Sequence, residues 1–231
     1  MLRERIQTTI AKIARLAADV SRADSDIRLL AVSKTVPADA IRKAYEIGLR
    51  EFAENYADEL VEKAALLGDL QNLRWVFIGQ LQSNKIQRIV RVADEIQSVA
   101  TEKHARYIER YAREFAKHDF PVWIVVNAGD ESTKQGCALS ELPDLSAFIA
   151  KNCPHLKLQG IMAIPPVEYS DKAWENANRE TIPELYQRLR QAASMTGCGK
   201  LSLGMSGDLN LAIAVGSDCV RIGTAIFGER K

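Results

Sequence analysis

The sequence predicts an α/β chain, a single (β/α)8 barrel preceded by one extra helix, and three observations predict it. Short apolar, β-branched or aromatic runs recur eight times along the 231 residues, over 29–33, 51–53, 75–78, 95–99, 122–126, 157–163, 201–203 and 219–222. The segments between them carry helical spacing, as in Ile86, Ile89, Val90 and Ala93, or His104, Tyr107, Ile108, Tyr111 and Phe115. No Gly/Ser/Pro-rich linker divides the chain, so 1–231 reads as one domain. Helices that can cover both sides of a parallel sheet are common to barrels and open doubly wound sheets, and the count of eight favours the barrel.

In chain order, the opening segment places Ile6, Ile10, Ile13, Ala17 and Val20 at helical spacing, an amphipathic helix that packs ahead of the first strand. The run 29–33 delivers Lys34 at its end, and 51–53 delivers Glu54 and Asn55. The third strand is followed by 79–82, the fifth by 127–136, and the sixth by a longer loop marked by Pro165 and Pro166. The seventh runs into Gly204, Met205, Ser206, Gly207 and Asp208 before a helix over 209–215, and the eighth contains Arg221 and ends at Gly223. Every strand but the last is followed by its own crossover helix, and the N-terminal helix is expected to complement that last one.

With 47% hydrophobic residues, 26% charged residues and a net charge of +1, the chain has apolar material for one core and no overall field for nucleic acid or a membrane. Arg3, Glu4, Arg5, Lys12 and Arg15 interrupt any uncharged signal-peptide core and any spanning segment, which points to the cytoplasm. Cys137, Cys153, Cys198 and Cys219 form no C-x-x-C pair, so reduced thiols are expected rather than a disulfide framework or a zinc site. His104, His118 and His155 lack metal-ligand spacing. P-loop, dinucleotide and G-x-S-x-G motifs are absent. Lys85, Arg88 and Arg91 have no interleaved aromatic residues and read as a solvated basic face rather than a nucleic-acid footprint.

In a parallel barrel the chemistry gathers at the C-terminal strand ends, where Lys34, Asn55, Ser206 and Arg221 all fall. The apolar run before Lys34 desolvates its amine, and desolvation favours a neutral, nucleophilic form. The glycine-bearing turn over 204–208, the Ser206 hydroxyl and the helix N-terminus that follows make either an anion site or an ordinary helix cap by Ser206 or Asp208. Arg221, inside an apolar strand, requires a partner, which a plain ion pair or a bound anion could supply. Loops after strands seven and eight are the recurrent phosphate position of this fold, which favours phosphate at Ser206, Arg221, Gly223 and Thr224.

Six stretches together carry a resemblance: Ala31-Val32-Ser33-Lys34-Thr35, Phe52-Ala53-Glu54-Asn55-Tyr56, the run from Trp75 to Lys85, Gly160-Ile161-Met162-Ala163-Ile164, and the two closing strand-loop motifs. The chain resembles the pyridoxal phosphate homeostasis proteins, relatives of the N-terminal barrel of alanine racemase. That resemblance implies a TIM barrel of the alanine racemase N-terminal type and pyridoxal 5'-phosphate as cofactor. It implies a Schiff base on Lys34, phosphate contacts from Ser206, Gly223 and Thr224, Arg221 at the pyridine nitrogen, and Asn55 and Met205 beside the ring. It also implies a monomer that buffers and delivers the cofactor, with apo-enzymes as recipients, rather than an enzyme. Racemisation needs two acid/base groups on opposite faces of a carbon, and only Tyr56 and Tyr169 are in view as a second base. A weak racemase is therefore the alternative. Ala53, Val76 and Asp218 depart from the family pattern of glycine, histidine and threonine.

Overall fold

A computed structural model of the protein describes residues 1–129, 136–177 and 181–229. Eight parallel strands close into a barrel in sequential order: β1 (Arg28–Val32), β2 (Glu51–Glu54), β3 (Arg74–Phe77), β4 (Glu95–Val99), β5 (Phe120–Val126), β6 (Leu156–Ala163), β7 (Lys200–Ser202) and β8 (Cys219–Ile222). β1 completes the ring by pairing with both β2 and β8. Around it lie α1 (Leu2–Asp19), α2 (Ala38–Ile47), α3 (Ala57–Leu66), α4 (Ile86–Val92), α5 (Glu102–Glu114), α6 (Leu142–Asn152), α7 (Asp171–Asn176), α8 (Glu184–Met195), α9 (Leu209–Ala214) and α10 (Thr224–Phe227).

Each expected strand is present, though several begin one or two residues earlier than their apolar runs. Charged residues such as Arg28 and Arg74 still enter the parallel ladder, because their amides bond to Asp218 and Arg50 carbonyls at 2.9 and 2.8 Å. A strand boundary follows backbone pairing, not side-chain polarity. The last strand does have a helix of its own, the one-turn α10, and α1 packs against it, α9 and α2. On α1 the buried stripe is Ile6, Thr9, Ile13, Leu16 and Ala17, whereas Ile10 lies 45% exposed. The stripe advances mainly by three and seven residues, so Ile10 rotates off the packed face.

The interior is two nested layers. The larger apolar layer lies between strands and helices, and a smaller one inside the barrel comprises Leu30, Val32, Ala53, Val76, Trp123 and Cys219. Ala53 and Val76 are register partners on β2 and β3, both fully buried, so two of the three departures from the family pattern meet inside the barrel. The third, Asp218, accepts the Leu201 amide at 2.8 Å and pairs with Arg22 and Arg190 at 3.3 and 3.4 Å. It ties the start of β7 to Arg190 of α8 and to Arg22 in the segment after α1. No helix among the described residues is long and apolar enough to cross a membrane.

Candidate cofactor site

The C-terminal strand ends open onto a cavity of about 260 Å³ lined by Lys34, Asn55, Met205, Ser206, Arg221, Gly223 and Thr224. All seven residues singled out in the sequence are thus brought together. Val32, Ile78, Met162, Ile164 and Gly207 complete the wall.

Lys34 stands half-buried after β1, and its backbone is held from α3. Thr35 adopts a left-handed φ of 62° and donates its amide to the Glu59 carboxylate at 2.8 Å. That carboxylate also binds Lys63 at 2.7 Å, and the buried Lys63 ammonium reaches Glu54 and the Ser33 carbonyl, each at 2.8 Å. Burial pushes the Glu54 carboxyl above the usual carboxylate range, opposed by Lys63 and Ser33. A buried ion cluster on the outer face of β1 and β2 therefore clamps the turn that carries the lysine.

Asn55 depends on a glycine. A Cβ on Gly79 would lie 1.8 Å from the Asn55 carbonyl oxygen, so only a residue without a side chain lets the loop after β3 approach the loop after β2. The Asn55 Oδ1 is buried and lacks a hydrogen-bond partner among the described residues.

On the opposite wall, Asp208 organises the loop after β7. Its carboxylate accepts the Met205 amide at 2.7 Å and the Tyr186 hydroxyl at 2.9 Å. Asp208 occupies the N-cap position of α9 but its side chain accepts no helix amide, and the exposed Ser206 side chain is left lining the cavity. One expectation is corrected here. The α9 amides of Asn210 and Leu211 donate to the Asp171 carboxylate of α7 at 3.1 and 3.0 Å, so that helix start already holds an anion. The cavity itself is lined on this side by Ser206, Gly207 and the Gly223–Thr224 turn.

Arg221 is 3% exposed and donates to Ser202 Oγ at 2.6 Å and to the Ala163 carbonyl at 2.8 Å. No carboxylate lies within salt-bridge distance of it among the described residues, so the plain ion pair is absent. Burial lowers the pKa of its guanidinium, a group that stays charged at neutral pH even so. The cavity wall therefore carries a fixed positive charge that no described carboxylate bonds directly, the Asp208 carboxylate acting on it only from beyond ion-pair distance.

An adjoining lobe of about 500 Å³ shares Asn55, Ile78, Met162 and Ile164 and extends to Tyr56, Ser98 and Asn127. Of the two tyrosines in view, Tyr56 lines this lobe at 54% exposure, while Tyr169 packs at a tilt with its ring 6.0 Å from that of Tyr186 and is part of neither wall. Residues 130–135 of the loop after β5 lie outside the described residues. Elsewhere, Lys85 and Arg88 pair with Asp58 and Arg91 covers the Phe115 ring, which spends the basic face on internal contacts. No group of three metal-ligating side chains occurs among the described residues.

Sequence reasoning passed over Gln97 and Ser202, which hold Arg221 from below. The available signal was polarity inside strands: Glu95 and Gln97 alternate along β4, and Ser202 closes β7.

The alanine racemase N-terminal domain family matches residues 6–231. A pyridoxal phosphate homeostasis protein of Pseudomonas aeruginosa is 40% identical over 98% of this chain and 95% of its own length. One from Caenorhabditis elegans is 37% identical over 99% of this chain and 97% of its own. Among solved structures, PipY of Synechococcus elongatus PCC7942, determined with PLP bound, is 33% identical with a TM-score of 0.73, covering 94% of this chain and 100% of that one.

Proposed function

The chain belongs to the pyridoxal phosphate homeostasis protein family, and from that premise we propose that it binds pyridoxal 5'-phosphate in the Lys34–Arg221 cavity, buffering and handing on the cofactor. The observation that carries the reading is the pairing of a primary amine with a buried guanidinium that no described carboxylate bonds, across one cavity whose remaining polar wall is Asn55, Ser206, Gly223 and Thr224. When bound, the cofactor supplies a dianionic phosphate and an aldehyde that condenses reversibly with a primary amine, releasing water. Lys34 supplies that amine. Ser206 and the backbone of Gly223 and Thr224 hold the phosphate, and Met205 and Asn55 flank the ring.

Arg221 can only donate, so it suits an unprotonated pyridine nitrogen and discourages the ring from acting as an electron sink. Among the described residues the wall of this cavity also holds no second acid/base group: beyond Lys34 its polar side chains are Asn55, Ser206, Arg221 and Thr224, and the Tyr56 phenol lines only the adjoining lobe. Both features favour a carrier over a racemase. We assign the protein one working domain over residues 1–231, a monomeric state, a cytoplasmic setting in keeping with its four free cysteines, and apo-enzymes as recipients.

The test is the visible absorbance of the purified protein, followed by borohydride reduction and peptide mapping. A yellow protein with the reduced adduct on Lys34 is expected, and Lys34→Ala should lose band and adduct while keeping weak, phosphate-driven binding. A wild-type protein that stays colourless and takes up no added cofactor would overturn the reading. Sustained racemisation of an amino acid by the pure protein would instead make it an enzyme.

A further inference from the structure

A polar column runs up the inside of the barrel from its floor to the cavity. Arg28 donates to Glu51 and, at 2.6 Å, to Glu95. Gln97 Nε2 donates to Glu95 Oε1 at 2.7 Å and faces Cys219 Sγ at 3.7 Å. Ser202 Oγ lies 2.9 Å from Gln97 Oε1 and 2.6 Å from Arg221 Nη1. Glu95, Gln97, Ser202 and Arg221 are each no more than 3% exposed.

The chemistry of these groups gives every bond in the column one direction. A carboxylate paired with Arg28 only accepts, so the Gln97 amide must turn its NH2 toward Glu95 and its carbonyl toward Ser202. That carbonyl only accepts, so the Ser202 hydroxyl spends its hydrogen on Gln97. Its lone pairs are then left facing Arg221. Two of the five guanidinium N–H donors are engaged, by Ser202 and Ala163, and the side chain so held lines the cavity. A barrel interior is ordinarily filled with branched apolar side chains, and buried polar groups there are costly unless fully bonded. Here the column stands beside the apolar cluster of Leu30, Val32, Ala53, Val76, Trp123 and Cys219.

We propose that Gln97 and Ser202, oriented by Glu95, are positioning residues that fix the direction of the Arg221 guanidinium toward a bound cofactor while leaving its charge unneutralised. A carboxylate in place of Ser202 would orient the arginine equally well but would cancel the charge that the cavity presents. Neutral acceptors orient it without that loss. The proposal rests on the reading of the cavity as a pyridoxal phosphate site.

The experiment compares wild type with Ser202→Ala, Gln97→Leu and Ser202→Thr, the last keeping the hydroxyl. Nitrogen NMR of the cofactor-free proteins reports Arg221 rotation, and titration with pyridoxal phosphate reports affinity. Separate, slowly exchanging Arg221 Nη signals are expected in wild type and Ser202→Thr, and averaged signals in the other two. Affinity should fall about tenfold in Ser202→Ala and Gln97→Leu, the scale of one hydrogen bond to a charged group. Variants with lowered thermal stability but wild-type Arg221 signals and affinity would overturn the positioning role and leave the column purely structural. Wild-type protein that binds no pyridoxal phosphate would instead overturn the function proposed above, and the NMR arm would still decide whether the column orients Arg221.

Discussion

Single residues around the cavity divide by how far their reasons reach along the chain. Lys34, Ser206 and Arg221 were legible because each ends or interrupts an apolar run, a purely local feature. The partners of Arg221 were not, since Ser202 lies 19 positions away and bonds in turn to Gln97, 105 positions from it. Thiol chemistry also belongs to this scale. Burial pushes Cys137 up to about 12 and Cys153 up to about 11, and raises Cys219 as well, whereas Cys198 is exposed. Thiolate is the reactive form, so the three buried thiols are doubly protected, by protonation and by access. Iodoacetamide at about pH 8 is expected to label Cys198 alone in the native protein and all four cysteines after denaturation. Native labelling of Cys137 before Cys198, read by peptide mass, would contradict that account.

Among the elements, α9 shows how a helix end can be mistaken for a ligand site. Its sequence, small residues after a strand and then an apolar run, is the pattern of an anion-binding turn. The occupant is nevertheless the protein's own Asp171, which also donates its amide to the Gly207 carbonyl at 2.8 Å. That carboxylate lies 39 positions before Asn210, beyond the reach of any local motif. Asp171→Ala should therefore lose a cap worth about 1 kcal/mol, lowering the melting temperature by about 2–4 °C for a chain of this size. Asp171→Asn, which keeps one acceptor oxygen, should lose less. Calorimetry showing no change in Asp171→Ala would mean that water or a neighbour caps the helix as well.

At the scale of the whole molecule, the seam where β8 meets β1 is the place most dependent on distant packing. α10 is a single turn, and α1 supplies the cover through Ile6, Ile13 and Leu16, each no more than 6% exposed. Burying three such side chains is worth about 5 kcal/mol or more, a large part of a total stability of about 5–15 kcal/mol. Deleting residues 1–21 should abolish or sharply lower the cooperative thermal transition and with it retention of the cofactor. A truncated protein that melts like the full chain would show that the barrel closes unaided. The sequence by itself determined the eight alternating strand and helix units, their order and the strand ends that carry Lys34, Asn55, Ser206 and Arg221, because periodicity and turn chemistry act over a few residues. Only the tertiary structure decided which residues meet between elements: Asp171 of α7 at the start of α9, Gly79 against the Asn55 backbone, and Gln97 and Ser202 beneath Arg221. Those contacts depend on how the units pack around the ring, which joins residues far apart in the chain and leaves no local trace of the joining.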